Sequence, residues 1–235
     1  MSEAATPSLL YTPDLGAVGS VLELSSEEAH YVARVIRGRV GDTAGATDGR
    51  GTLASLRLLN VGHEVRAEVI SVERAERRRR AWLWCGAPER GRADWLVEKL
   101  AELGVARFQP MVCDGAPWPA GEARIERWRR LAIAALRQSR RTILMEVRPP
   151  VSVEAAVGAI ERPASCWVGD PDGRPAGADV HAAGLAILAI GPSGGFRARE
   201  RERLEAAEFT PICLADGRLR TETAALSMAA WWAAR

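Results

Sequence analysis

Two glycine-bearing segments hold the residues best suited to chemistry. Gly191-Pro-Ser-Gly-Gly195 follows the apolar run Leu185 to Ile190 and precedes a charged stretch that reads as a helix from about Arg197 to Ala207. A buried strand feeding such a turn exposes several backbone amides, and the missing Cβ atoms let a nucleotide-like ligand approach closely. The turn is neither GxGxxG nor a P-loop, and on its own it reads more readily as a tight structural turn. The second segment, Ala215-Asp-Gly-Arg-Leu-Arg-Thr-Glu-Thr223, follows the short apolar run Pro211 to Leu214 and precedes the last helix. Thr221 is a candidate N-cap, and Glu222 falls in the first turn, where the helix dipole favours a carboxylate. Arg218 and Arg220 oppose that dipole, so they call for an anionic or electron-rich ligand.

A third set is basic. His30, Arg34 and Arg37 recur at i, i+4 and i+7 on one helical face, opposite a core face of Ala29, Val32 and Ile36. The set fits either an ordinary solvated face or phosphate contacts. A helix from Arg124 to Arg141 buries Ile125, Trp128, Ala132 and Ala135 and gathers Arg127, Arg130, Arg137 and Arg141 on the opposite arc. Lys99, between Glu98 and Glu102, fits a local ion pair or a ligand contact. Cys85, Cys113, Cys166 and Cys213 lie far apart with no CxxC pair or nearby His, and three of them sit in short apolar runs. Packing thiols of a reducing compartment are expected, not a metal site.

These residues need elements to position them. The 235 residues carry a net charge of +2, which excludes a globally basic coat and leaves any polyanion to a local patch. All but one of the 32 basic residues are Arg, which fits a codon bias or selection for phosphate contact. The longest nearly apolar stretch, Ala224 to Ala234, is too short to span a bilayer, and the first 30 residues lack a basic start followed by an apolar run, so a cytoplasmic protein is expected. The charged run Glu73 to Arg80 cannot enter a core and marks a boundary between residues 1–73 and 74–235. Before it, period-2 alternation at Val65, Ala67 and Val69 and the turn Asp48 to Gly51 predict a small β-barrel with one helix, capped by Ser25 and Glu28 and running to about Arg37 before Gly38. After it, apolar runs alternate with helical patterns, as in a mainly parallel α/β sheet. One of those helices, Asp94 to Leu103, stops at Gly104.

In sequence order, His30-Tyr-Val-Ala-Arg-Val-Ile-Arg37, Glu98-Lys-Leu-Ala-Glu-Leu-Gly104, Gln138 with Arg141, Ile190-Gly-Pro-Ser-Gly-Gly-Phe196 and Leu219-Arg-Thr-Glu-Thr-Ala224 resemble the ribosomal RNA small-subunit methyltransferase E family. These are uridine-N3 methyltransferases of the SPOUT superfamily. The resemblance implies a PUA-like RNA-binding barrel followed by an α/β domain with a trefoil knot that binds S-adenosylmethionine. It implies cofactor contacts at Ile190, Gly191, Pro192, Gly194, Gly195, Leu214, Leu219, Thr221, Glu222 and Thr223, and RNA contacts at His30, Arg34, Arg37 and Arg141. The implied partners are 16S ribosomal RNA or the small subunit and a second copy of the chain. A homodimer also fits Trp231 and Trp232, two large side chains on the last helix. The family usually has Glu at Ser193, Gly at Ala215 and Arg140, and Pro at Met145, so Ser193 carries no catalytic expectation.

Methyl transfer from a sulfonium needs positioning and a dry pocket and requires no metal. Uridine N3 reacts as an imide anion whose charge spreads onto O2 and O4, and a guanidinium presents paired donors to such oxygens, which makes Arg220 the catalytic candidate. N3 lies on the pairing edge, so the base must be unpaired or flipped. A non-catalytic RNA-binding protein of the same ancestry is the alternative that the departures at 193 and 215 motivate. A dinucleotide oxidoreductase fits poorly, because no early GxGxxG or acidic ribose partner is evident.

Overall fold

The computed structural model describes residues 9–74, 79–118, 121–160, 162–177 and 184–234. They fall into two units, one of residues 1–77 with 136–144 and one of residues 78–135 with 145–235. The division lies just beyond the expected position, and the first unit also takes a later piece of chain that a single compositional break does not signal. The charged run Glu73 to Arg80 ends one strand and begins the next, and its positions 75–78 lie outside the described residues.

The first unit holds β1 (Leu9–Tyr11), β2 (Val21–Glu23), β3 (Thr43–Thr47), β4 (Thr52–Val61) and β5 (Val65–Arg74). They form one sheet in the order β1-β3-β4-β5-β2, parallel at β1/β3 and antiparallel elsewhere. Alternation works as read: Val65, Ala67 and Val69 are buried with Leu10, Leu56 and Leu58, while Arg66 faces solvent. The β3/β4 turn is closed by the Asp48 carboxylate, whose Oδ1 accepts from the amides of Arg50 at 2.7 Å and Thr52 at 3.1 Å. Residues 136–144 join this turn, with the Leu144 amide donating to Gly49 O at 2.9 Å and the Gly51 amide to Thr142 O at 2.8 Å.

The helix of this unit departs from expectation. It is α1 (Ser26–His30) continued by a π-helical turn, Tyr31–Val35. Ser25 Oγ accepts from the Glu28 amide at 3.3 Å, but the Glu28 carboxylate makes no reciprocal capping bond; it is buried and pairs with Arg137. The residue with left-handed backbone is Arg37 (φ 50°), not Gly38. Gly38 is required for space instead, since a Cβ there would lie 2.8 Å from Leu58 Cδ1.

The second unit contains β6 (Arg79–Cys85), α2 (Ala93–Glu102), β7 (Arg107–Val112), α3 (Glu122–Ser139), whose last turn belongs to the first unit, and β8 (Glu146–Val147). There follow β9 (Val151–Ser152), α4 (Val153–Gly158), β10 (Ala164–Pro175), β11 (Gly184–Ile190), α5 (Ala198–Ala206), β12 (Thr210–Cys213) and α6 (Thr221–Ala233). The main sheet runs β12-β10-β11-β6-β7-β8 and every neighbouring pair is parallel. This is the α/β architecture that the sequence predicts. Leu185 to Ile190 of β11 are all buried, as a strand covered on both faces requires.

The helices anchor through specific side chains. Ile125, Trp128, Ala132 and Ala135 of α3 are buried, and Trp128 meets Phe108 and Trp118 edge-on at 6.0 and 5.4 Å. Asp94 of α2 accepts from Arg127 Nε at 2.7 Å and Trp128 Nε1 at 2.9 Å, and half-buried Arg137 pairs with Glu28, so two arginines of the basic arc are already engaged by carboxylates. α2 ends at Gly104 (φ 81°) with the Val105 amide bonded to Leu100 O at 3.1 Å, the closure expected there. Trp232 is buried and Trp231 packs edge-on against Trp167 at 5.7 Å, so both tryptophans find partners within the chain and give no argument for a dimer. Among the described residues no helix is long and apolar enough to cross a membrane.

Trp128 is fully buried at the centre of the aromatic cluster. Trp128→Ala should therefore destabilise the protein by about 3–5 kcal/mol, read as a lower guanidinium midpoint with an unchanged slope.

Candidate functional site

A cavity of about 690 Å³ opens at the carboxyl ends of β10, β11 and β12, the edge where open parallel sheets bind ligands. Its floor is the turn after β11, where Ile190, Gly191, Pro192, Gly194 and Gly195 all face the space. Gly195 has left-handed backbone (φ 72°), and its amide donates to Pro192 O at 2.8 Å. A Cβ on Gly191 would come within 3.2 Å of the Gly195 backbone, whereas one on Gly194 would meet nothing within 4 Å and would project into open space. Of the second segment, Leu214, Leu219 and Thr221 also line the cavity.

The two segments are laced together. Arg218 Nη2 donates to Ser193 O at 2.9 Å, and Thr221 Oγ1 donates to Gly191 O at 3.2 Å. Thr221 is not the N-cap of α6, because it is already the first helical residue. Arg220 holds the cap position, and the Thr221 hydroxyl is spent on the neighbouring turn. Beneath them the loop after β6 presses on the floor, for a Cβ at Gly86 would lie 2.3 Å from Pro192 N.

Three expected site residues lie off the cavity lining. Arg220 points outward and its Nη1 pairs with the Glu89 carboxylate at 2.6 Å, both side chains being more than half exposed. The Glu222 side chain is buried, with Oε1 3.9 Å from Arg92 Nε. Thr223 is exposed. In the first unit His30, Arg34 and Arg37 are exposed and Arg141 is half-buried, its pKa pulled down by that burial. Lys99 settles on its neighbours, 2.7 Å from both Glu98 and Glu102, and these hydrogen bonds raise its pKa.

One wall escaped the sequence reading. The end of β10 contributes Gly169, Asp170 and Asp172, and α5 contributes Arg201, whose Nη1 stands 4.0 Å from Asp170 Oδ2 and whose Nε donates to Phe196 O at 3.2 Å. Phe209 and Ile212 add an apolar surface. The available signal was Asp170, an acidic residue two positions after the apolar run Ser165 to Val168, near where a ribose partner commonly stands. Among the described residues no three His, Cys, Asp or Glu side chains gather as a metal-binding group.

Residues 75–233 match the RNA methyltransferase domain family. The chain belongs to this family. Among its relatives, the ribosomal RNA small subunit methyltransferase E of Aquifex aeolicus is 32% identical over 57% of this chain, and the match spans 59% of that protein. The protein of the same name from Synechocystis is 27% identical over 88% of this chain and 71% of its own length. The crystal structure of a ribosomal RNA small subunit methyltransferase E from Neisseria gonorrhoeae bound to S-adenosyl methionine superposes with a TM-score of 0.87 at 25% identity, covering 96% of each chain.

The thiols sit where packing places them. Cys85, Cys113 and Cys166 are buried and burial raises the pKa of each, to about 12 for Cys113, so all three stay neutral thiols at physiological pH. Cys213 is partly exposed, with Sγ donating to Ala215 O at 3.1 Å. Titration of the native protein with a thiol reagent at pH 8 should therefore modify Cys213 alone, and the remaining three only after denaturant is added.

Proposed function

We propose that this chain is an S-adenosylmethionine-dependent methyltransferase that modifies N3 of a uridine in 16S ribosomal RNA of the small subunit, acting in the cytoplasm as a homodimer. The observation that carries the reading is the cavity built on the Gly191 to Gly195 turn, in a chain whose fold superposes closely on a relative that holds this cofactor. The uridine-N3 specificity, the homodimer, a PUA-like barrel in the first unit and a trefoil knot in the second come with the family resemblance.

The residues present fit the cofactor. Its adenine requires an apolar slot, which Ile190, Leu214, Leu219 and Phe209 supply. Its ribose and amino-acid ends require charged and hydrogen-bonding groups, which Asp170, Arg201 and the amides of the glycine turn supply. Bound there, S-adenosylmethionine supplies an electrophilic methyl group on a sulfonium. Glu222 and Thr223 then act behind the site rather than in it, Glu222 by holding the first turn of α6 against Arg92. His30, Arg34, Arg37 and Arg141 hold RNA.

Arg220 is the residue we assign to the reaction. It sits at the N-cap of α6, next to cavity-lining Leu219 and Thr221, and its exposed guanidinium is free to leave Glu89 for the O2 or O4 of a uridine that is losing its N3 proton. The charge on that imide is what Arg220 stabilises.

The decisive measurement is methyl transfer from labelled cofactor to small subunits lacking the modification, with the methylated base mapped by mass spectrometry. Gly194→Val should keep its melting temperature, because its Cβ meets no protein atom, and should lose S-adenosylmethionine binding in calorimetry, because the side chain fills the cavity. Unchanged affinity would remove the cofactor from this turn. Arg220→Ala should keep cofactor and RNA affinities within several-fold and lower single-turnover methyl transfer by about 100-fold or more. A variant with near-normal turnover would leave Arg220 without a catalytic part.

A further inference from the structure

The second glycine-bearing segment carries two arginines, and the fold uses them differently. Arg220 turns outward to Glu89, whereas Arg218 lines the cavity. The Arg218 Nη2 donates to Ser193 O at 2.9 Å, a neutral acceptor that holds the guanidinium where the two segments meet and leaves its other donors uncommitted. Among the described residues no carboxylate stands within ion-pair distance of it.

The rest of the wall has the opposite balance. Asp170 and Asp172 after β10 and Glu205 of α5 line the cavity with only Arg201 against them. Arg201 is already engaged, with Nη1 4.0 Å from Asp170 Oδ2 and Nε bonded to Phe196 O. Charge on the wall is therefore divided: carboxylates are in excess on the β10 and α5 side, and Arg218 carries an uncompensated cation. S-adenosylmethionine is divided in the same way, for its ammonium and sulfonium are cations and its carboxylate is its one anion. The forked donors of a guanidinium match a carboxylate, and a side chain already held by a carbonyl has less freedom to lose on binding one.

Ser193 keeps that cation available. The family resemblance implies Glu at this position, and a carboxylate on the very residue whose carbonyl holds Arg218 is placed to compete for the guanidinium. A hydroxyl makes no such claim. We propose that Arg218 anchors the carboxylate at the amino-acid end of the cofactor, and that Ser193, standing in place of an acidic residue, leaves Arg218 free to do so. The assignment rests on the reading of this cavity as the S-adenosylmethionine site and goes beyond it by giving the carboxylate to one side chain.

Two ligands isolate the carboxylate in calorimetry: S-adenosylmethionine, and its decarboxylated form, which keeps the adenine, ribose, sulfonium and ammonium. Arg218→Gln retains a donor for Ser193 O and loses the charge. It should bind S-adenosylmethionine about tenfold more weakly, the scale of one lost charge-assisted contact, and the decarboxylated form within about twofold of the wild type. Ser193→Glu leaves the Arg218 side chain in place and should likewise lower S-adenosylmethionine affinity several-fold, with that of the decarboxylated form unchanged or higher. An arginine that merely braces the glycine turn would weaken both ligands alike. Equal losses in Arg218→Gln, or a wild-type ratio of the two affinities in that variant, overturn the anchor while leaving the cofactor site intact. A wild-type ratio in Ser193→Glu overturns the part given to Ser193. Wild-type protein that binds neither ligand overturns the cofactor reading as well.

Discussion

The chain at residue 86 passes so close to residue 192 that no side chain fits between them, and the rest of the site depends on that contact. β6 and β11 pair in register over seven residues, Arg79 with Gly184 through Cys85 with Ile190, and the Gly86 amide extends the ladder by donating to Ile190 O at 2.8 Å. The turn that follows is therefore fixed by main chain on both sides. Arg218 and Thr221 then fasten the second glycine-bearing segment to it through the carbonyls of Ser193 and Gly191. A floor built this way owes its shape to backbone geometry, which changes little when a side chain on the loop is exchanged.

That construction bears on Ser193 and Ala215, two of the positions where the family resemblance implies a different residue. At Ser193 and at Ala215 the contacts made are through the carbonyl oxygen, to Arg218 and to the Cys213 thiol. Both contacts are made by the main chain and depend on no particular side chain at either position. The departures therefore leave the cavity standing, and they weigh less against catalysis than the residue types alone suggest.

What could be read from the sequence was whatever local periodicity and turn chemistry determine. The alternation of β5, the buried run of β11, the Leu96 and Leu100 spacing of α2 with its Gly104 stop, and the glycine turn all lie where the residues place them. What could not be read depends on partners distant in sequence. Glu28 looked like half of a capping box until Arg137, more than a hundred residues away, claimed its carboxylate. Thr221 looked like an N-cap, but the extended backbone of Arg220 puts the cap one residue earlier and leaves the Thr221 hydroxyl to donate to Gly191 O. Asp170 became a cavity wall only because β10 lies between β11 and β12 in the sheet. The pair of tryptophans at the end of the chain implied a missing surface, which Trp167 in fact supplies for Trp231.

Charge follows the same division between local and distant partners. In the second unit Arg92, Arg107, Arg127, Arg203 and Arg220 each face a carboxylate, so their fields are largely cancelled beyond about 10 Å at ordinary ionic strength. In the first unit His30, Arg34, Arg37 and Arg140 face none among the described residues. A chain of net charge +2 can thus present a polyanion with a concentrated field in one place and near neutrality in another. An exposed ion pair such as Arg220 with Glu89 is worth under about 1 kcal/mol, too little to resist a developing anion. The pair therefore does not stand in the way of the part proposed for Arg220, which needs its guanidinium to exchange Glu89 for an anionic oxygen of the substrate.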